Sequence, residues 1–149
     1  MLKVLVVDDS LIMRRNVTKM VEGLGHKVVG EAKDGIEAIT LYTKLKPDLV
    51  TMDITMPEMD GITAVQELKK IDKHVKIIMV TSHGQEDMVI TAIRSGAGGY
   101  LLKPVNIMKL RDSIRKIYPN IVDETTLKQK ESALLESEEI FLPEIEEII

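Results

Sequence analysis

The stretch Asp48-Leu49-Val50-Thr51-Met52-Asp53-Ile54-Thr55-Met56-Pro57-Glu58-Met59-Asp60-Gly61 decides how this chain folds. Its first half is a short apolar strand, Asp48 to Asp53, and its second half leaves regular structure through Pro57 and Gly61. Strands this apolar are buried on both faces, as in parallel sheets covered by helices. Asp53 then stands at the carboxyl end of the strand, on the rim where ligands of open α/β sheets collect, held by rigid neighbours with only its tip in solvent. It is the candidate reactive group.

The pattern repeats outward in both directions. Downstream, a helix is expected from about Ile62 to Ile71 with Val65 and Leu68 on its apolar stripe, then a strand from Val75 to Val80 ending in Thr81-Ser82-His83-Gly84. A helix from about Gln85 to Arg94 follows, with Met88, Val89, Ala92 and Ile93 as its buried side and glycines 96, 98 and 99 marking its end. Tyr100-Leu101-Leu102 forms a short fifth strand closed by Lys103-Pro104, and Ile107, Leu110, Ile114 and Ile117 set the stripe of the next helix. Upstream, Leu2 to Val7 is a Val-rich strand ending in Asp8-Asp9-Ser10. The helix after it carries Leu11, Met13, Val17, Met20 and Val21. Lys27 to Ala32 is a second strand, and Asp34-Gly35 opens a helix striped by Ile36, Ile39, Leu41 and Leu45 and stopped by Pro47. Five strands alternating with five helices require crossover connections, hence a parallel five-stranded sheet with helices on both faces, a doubly wound (βα)5 sandwich.

Composition bounds the remaining classes. A chain of 149 residues, 44% hydrophobic and 30% charged, fits one globular domain with an appendage. It has no cysteine, which excludes disulfides, thiolate zinc sites and thiol nucleophiles. The amino-terminal apolar run is too short for a signal peptide, and no run approaches the roughly 18 residues of a membrane span. A soluble, cytoplasmic protein that does not engage membranes is expected. Residues 1–118 hold 18 Lys and Arg against 15 Asp and Glu, whereas residues 119–149 hold 2 against 9, which marks the carboxyl-terminal stretch as a separate acidic unit.

Doubly wound topology brings Asp8, Asp9, Asp53, Thr81 and Lys103 to one edge of the sheet. Three carboxylates in one cleft repel one another unless a cation offsets the charge. With oxygen donors and no adjacent His or Cys, Mg2+ suits the cleft better than Zn2+. Lys103 adds a positive charge and Thr81 a hydroxyl donor, an environment for a phosphoryl group. An Asp nucleophile attacking phosphorus gives an acyl phosphate. Each element alone has a plainer reading: Asp8-Asp9 as a capping pair, Asp53 as a turn former, Thr81-Ser82 as an N-cap, Lys103 as a loop lysine. Their joint placement at strand ends carries the functional reading. His26, His74 and His83 read as surface turn or loop residues.

Val6-Val7-Asp8-Asp9-Ser10, Met52-Asp53 through Met56-Pro57 to Asp60-Gly61, Thr81-Ser82 and Tyr100-Leu101-Leu102-Lys103-Pro104 resemble the receiver domain of two-component response regulators, of the single-domain chemotaxis type. The resemblance runs from Met1 to about Tyr118 and implies a flavodoxin-like fold. It implies that Asp53 accepts a phosphoryl group from a histidine kinase or histidine phosphotransfer protein, with limited self-catalysed phosphorylation and dephosphorylation rather than metabolic turnover. Asp9, Asp53 and the backbone carbonyl of Thr55 would bind Mg2+, with Asp8 acting through a water, and Lys103 would pair with the phosphoryl group. Thr81 and Tyr100 would be the switch pair, and a downstream protein would dock on the fourth helix, fifth strand and fifth helix. The Lys103-Pro104 bond would be cis. Ser82 departs from the small apolar residue usual at its position. Thr55 and His83 occupy the variable positions that flank the acyl phosphate.

The domain boundary is expected near residue 118, with residues 119–149 an acidic tail, partly helical or disordered. Thr125 to Phe141 is helix-permissive, with Leu127, Leu134 and Phe141 seven apart but Glu131 and Glu138 interrupting the stripe. Pro143 breaks it, and Leu142, Ile145 and Ile149 lie on one side of a final turn. The segment reads either as an amphipathic docking element for a partner or a neighbouring copy, or as a disordered tail or a linker cut from a longer regulator; the latter is the plainer reading. Too few residues follow Tyr118 for a helix-turn-helix effector, so nucleic-acid binding by this chain is not expected. Two other classes remain open. One is a Mg2+-dependent phosphohydrolase with an aspartyl nucleophile, which wants a second acid where Thr55 stands. The other is a flavodoxin-like cofactor binder, which wants a Ser/Thr/Gly-rich loop where Asp8 and Asp9 stand.

Overall fold

Four of the turns that follow strands are closed by a short polar side chain, and these turns set the frame. In a computed structural model that describes residues 1–82 and 84–136, the elements run β1 (Lys3–Val7), α1 (Leu11–Gly23), β2 (Lys27–Ala32), α2 (Gly35–Leu45), β3 (Leu49–Asp53), α3 (Gly61–Ile71), β4 (Ile77–Thr81), α4 (Glu86–Arg94), β5 (Gly99–Leu102), α5 (Ile107–Ile117) and α6 (Glu124–Glu136). Ser10, Asp34, Asp60 and Asn106 each accept a hydrogen bond from the backbone N–H three residues on, at 3.3, 2.9, 2.8 and 2.9 Å. Each satisfies a helix donor left open at its first turn.

The sheet is wholly parallel, in the order β2-β1-β3-β4-β5. Strand order reverses between β1 and β3, the switch point outside which ligands of open α/β sheets bind. Alternation along each strand divides the core in two. Leu5, Val7, Val50, Met52, Ile77 and Met79 face Ala38 and Tyr42 of α2, Ala64, Val65 and Leu68 of α3, and Val89 and Ala92 of α4. Val4, Val6, Leu49, Ile78, Val80 and Leu101 face Val17 and Val21 of α1 and Leu110 and Ile114 of α5. Strands β3 and β4 are buried at every position, because helices cover both of their faces.

Several expected burial stripes are rotated. Leu11 and Ile36 are half exposed, and α2 presents Ala38 and Tyr42 inward instead. On α4, Val89 and Ala92 are buried as expected, but Met88 and Ile93 are 46% and 41% exposed. That helix packs on β4 with α3 on one side, and among the described residues no other helix covers its outer flank. His26 is a correction of a different kind. It is 4% exposed, and its Nδ1 accepts a hydrogen bond from the Leu2 N–H at 3.1 Å. The pairing of Lys3 with Lys27 seats this apparent turn residue beneath the first strand. His74 is exposed as expected, and His83 lies outside the described residues.

Beyond α5 the chain turns through Ile121, which packs on the α1/α5 core, into α6. The start of α6 is pinned. Asp123, 3% exposed, accepts from the Thr126 N–H at 2.8 Å and from Arg115 at 3.2 Å, and the Glu124 N–H donates to the Leu24 carbonyl at 3.0 Å. Leu127, Leu134 and Leu135 of this helix are exposed. Phe141, Pro143 and the final-turn residues Leu142, Ile145 and Ile149 lie outside the described residues. Among the described residues, no helix is long and apolar enough to cross a membrane.

Candidate functional site

Adjacent parallel strands carry the site side chains to one rim. β1 ends at Val7, and Asp8 follows in extended register, its N–H donating to the Ala32 carbonyl at 3.0 Å. Its carboxylate is buried; Oδ1 accepts from the Ser10 N–H at 2.9 Å, while the Arg14 guanidinium donates to its carbonyl at 2.8 Å. Asp9, one residue on, is exposed. Asp53 closes β3 at 5% exposure. One oxygen from each of Asp8, Asp9 and Asp53 lies within 4.8 Å of the other two.

Lys103 enters from the far side. Its N–H donates to the Thr81 carbonyl at 2.7 Å, and the peptide bond to Pro104 is cis. From there Nζ lies 3.1 Å from Asp8 Oδ2 and 3.4 Å from Asp53 Oδ1, with its side chain 22% exposed. Burial and the neighbouring Asp8 carboxylate push Asp53 up to about 6, and Lys103 offsets only part of that rise. Burial acts to lower Lys103, but the Asp53 and Asp8 carboxylates outweigh it and hold the lysine above its ordinary value.

Gly61 secures the reactive end of β3. Its N–H donates to the Ile54 carbonyl at 2.7 Å, and a Cβ on it would collide with the Asp53 carbonyl oxygen and sit 2.9 Å from the Ile54 Cα. No other residue lets the loop fold back this tightly behind the acid. Glu58, inside the same loop, takes a left-handed φ of 64°.

Two of the residues singled out from sequence take their contacts elsewhere than on the carboxylates. Thr81 is fully buried, but its hydroxyl donates to Gln85 Oε1 at 2.7 Å. Tyr100 is 52% exposed, at one wall of a cavity of about 490 Å3 between α4 and β5 that Thr81, Gln85, Val89 and Leu102 also line. Thr55 is exposed, and its hydroxyl accepts from Gln85 Nε2 at 2.6 Å. Ser82 is exposed as well. Sequence reading had no signal for Gln85, which carries no recognisable motif and occupies the N-cap position of α4 without capping it.

The donor set of the cluster, three carboxylates with neither His nor Cys among them, fits a hard divalent cation, whose charge would relieve the repulsion that raises Asp53. A buried acid, a lysine and a cation-competent carboxylate cluster at the switch point of a 2-1-3-4-5 parallel sheet define a doubly wound α/β domain with an acidic, cation-competent rim. The chain belongs to the response regulator receiver domain family, which matches residues 4–115, and its signalling is controlled by phosphorylation. It is 45% identical over 115 residues to the chemotaxis protein CheY of Thermotoga maritima, covering 77% of this chain and 96% of that protein. It is 46% identical over 114 residues to CheY of Bacillus subtilis, covering 76% and 95%. A crystal structure of a CheX-CheY-BeF3-Mg2+ complex from Borrelia burgdorferi matches with a TM-score of 0.75 at 33% identity, over 78% of this chain and 88% of that one. Nothing in the site favours a phosphohydrolase: the position two residues beyond Asp53 holds Thr55, whose hydroxyl is taken by Gln85.

Proposed function

We propose that Asp53 is the phosphoacceptor of this regulator and that a histidine kinase or histidine phosphotransfer protein is its donor. The observation that supports this most is the setting of Asp53: buried at a strand end, raised to about 6, with the Lys103 ammonium 3.4 Å from one oxygen. The ionised carboxylate is the nucleophilic form, and Lys103 favours it by offsetting part of the rise. A carboxylate oxygen of Asp53 attacks phosphorus in line, an O–P bond forms, the P–N bond to the donor imidazole breaks, and the imidazole keeps the electron pair and takes up a proton from solvent. Lys103 remains beside the product and pairs with a phosphoryl oxygen.

Asp8, Asp9 and Asp53, with the backbone carbonyl of Thr55, would hold Mg2+. When bound, that ion supplies charge neutralisation between carboxylates and phosphoryl oxygens. The Thr81 hydroxyl then turns toward the phosphoryl group and Tyr100 moves inward behind it, altering the α4-β5-α5 face that a downstream protein reads. Such a change is worth about 1–3 kcal/mol of coupling. The Borrelia burgdorferi CheY, found in complex with CheX, supports protein–protein contact by this chain too. Small acyl phosphates serve as alternative donors, and water slowly removes the phosphoryl group. We place the chain in the cytoplasm, with residues 1–118 as the receiver and residues 119–149 as an acidic appendage.

The test is incubation of the full chain with a small acyl phosphate and Mg2+, read by intact mass. One phosphoryl adduct that disappears in Asp53→Asn and on chelation is the expected result; an adduct that survives in Asp53→Asn overturns the assignment.

A further inference from the structure

The Thr81 hydroxyl has one proton, and its shorter hydrogen bond is to Gln85 Oε1 at 2.7 Å, with the Ser82 carbonyl 3.3 Å away. The amide of Gln85 spans three segments: Oε1 accepts from Thr81 Oγ1 at 2.7 Å at the end of β4, and Nε2 donates to Thr55 Oγ1 at 2.6 Å in the loop after β3. The Ser82 N–H lies 3.4 Å from the same Oε1. Gln85 itself sits at the threshold of α4, with φ −114° and ψ 27° and no side-chain bond to a helix N–H. The other four strand-following helices with an identified cap, α1, α2, α3 and α5, spend their N-cap side chain on the helix. Here the side chain at that position is turned back into the sheet edge.

We propose that Gln85 is the positioning residue that holds the unphosphorylated state: its amide keeps the Thr81 hydroxyl directed away from Asp53 and ties the start of α4 to the loop that follows the acceptor. This rests on Asp53 being the acceptor and Thr81 its switch partner. A phosphoryl oxygen is an ionised acceptor and forms the stronger hydrogen bond, so it wins Thr81 from a neutral amide. Leaving Gln85 still costs the domain one partly buried hydrogen bond, and that cost biases the resting equilibrium. Release of Thr81 also frees one of the three polar anchors of the amide, so the start of α4 and the cavity wall beside Tyr100 move with the hydroxyl. The coupling between acceptor and output face therefore has a named joint.

The probe is beryllofluoride with Mg2+, added to the full chain and followed by backbone amide chemical shifts of Thr81, Ser82 and Tyr100. Gln85→Met keeps the side-chain length and removes the hydrogen bonds to Thr81, Thr55 and Ser82. In wild type these shifts move on adding the probe, and Asp53→Asn abolishes the movement. In Gln85→Met without probe, the same shifts are expected to lie part of the way along the line joining the two wild-type end points. The concentration of beryllofluoride giving half-saturation should fall about three- to tenfold, the weight of one net hydrogen bond. A wild type that responds through Asp53, together with a Gln85→Met spectrum that stays at the resting end point and an unchanged half-saturation, overturns the latch alone. A variant that only unfolds more easily, with no displacement along that line, overturns it equally. A wild type that does not respond overturns the acceptor assignment and the latch with it.

Discussion

Asp53 shows how one residue can be costly to the fold and still be the group on which the proposed function depends. Its folded value of about 6 lies above the ordinary 3.8, so the fold binds a proton there more tightly than the unfolded chain does. That stabilisation is fully present below about pH 4 and is lost as pH rises through about 6, so at neutral pH the ionised carboxylate burdens the domain. In metal-free buffer at pH 7, Asp53→Asn is expected to be more stable than wild type by about 1–3 kcal/mol. The difference should shrink toward zero as pH approaches 4. Urea midpoints at the two pH values check this, and equal midpoints at pH 7 would remove the electrostatic account. His26 shows the opposite side of legibility at this scale. Between Gly25 and Lys27 it reads as a surface residue, yet it is buried, with Nε2 lacking a hydrogen-bond partner among the described residues. Burial holds it below its usual value, with the amino terminus adding to the effect and Asp123 opposing it. No local pattern contains that information, because its partner is the N–H of Leu2, just before β1 and distant in sequence.

Elements transmit these residue-level demands. The β3-α3 loop returns so close to the strand that a Cβ on Gly61 would strike the backbone of Asp53 and Ile54, which makes the glycine part of the support of Asp53. Gly61→Ala should fold with a loss of about 1–3 kcal/mol from overpacking. It should also slow phosphorylation by acyl phosphate at least tenfold, while more distant core changes of equal cost leave the rate alone; an unchanged rate would show that the loop relaxes without moving the acid. At the other end of the domain, α6 hangs from Asp123, which caps its first turn and pairs with Arg115. Asp123→Ala is expected to lower amide protection across residues 124–136 by about 1–2 kcal/mol with little change in β3 or β4. Protection that stays the same would mean that packing at Ile121 alone holds the helix. Element boundaries were readable from the chain because short apolar runs and polar caps alternate in it. The exposure of Met88 and Ile93 was not, because amphipathic spacing defines a face without saying what lies opposite it.

For the whole molecule, the three carboxylates and the sheet form one thermodynamic unit. A cation that binds only the folded arrangement stabilises everything that unfolds with it. Mg2+ at about a hundred times its Kd should raise wild-type stability by about 2.7 kcal/mol, and should do much less for Asp53→Asn. Thermal melts across a Mg2+ titration check this; equal gains in both proteins would place the ion elsewhere. Because the ion offsets the repulsion described above, the advantage of Asp53→Asn at pH 7 should narrow or reverse as Mg2+ rises.

The amino-acid sequence by itself determined the order of strands and helices, the parallel sheet and the candidate acids. Val-rich runs too short for helices, each followed by a capping residue and an amphipathic stretch, admit few other architectures. Asp8, Asp53 and Lys103 were legible because a parallel sheet sends the carboxyl ends of its strands to one edge, so a polar residue just after an apolar run is a rim residue. Only the tertiary structure decided which partners those residues take. The bonds from Gln85 to Thr81 and Thr55, the seat of His26 under Leu2 and the anchoring of α6 through Arg115 and Leu24 join groups on different elements. Local periodicity fixes which way a side chain faces; the packing of one element on another fixes what it meets there.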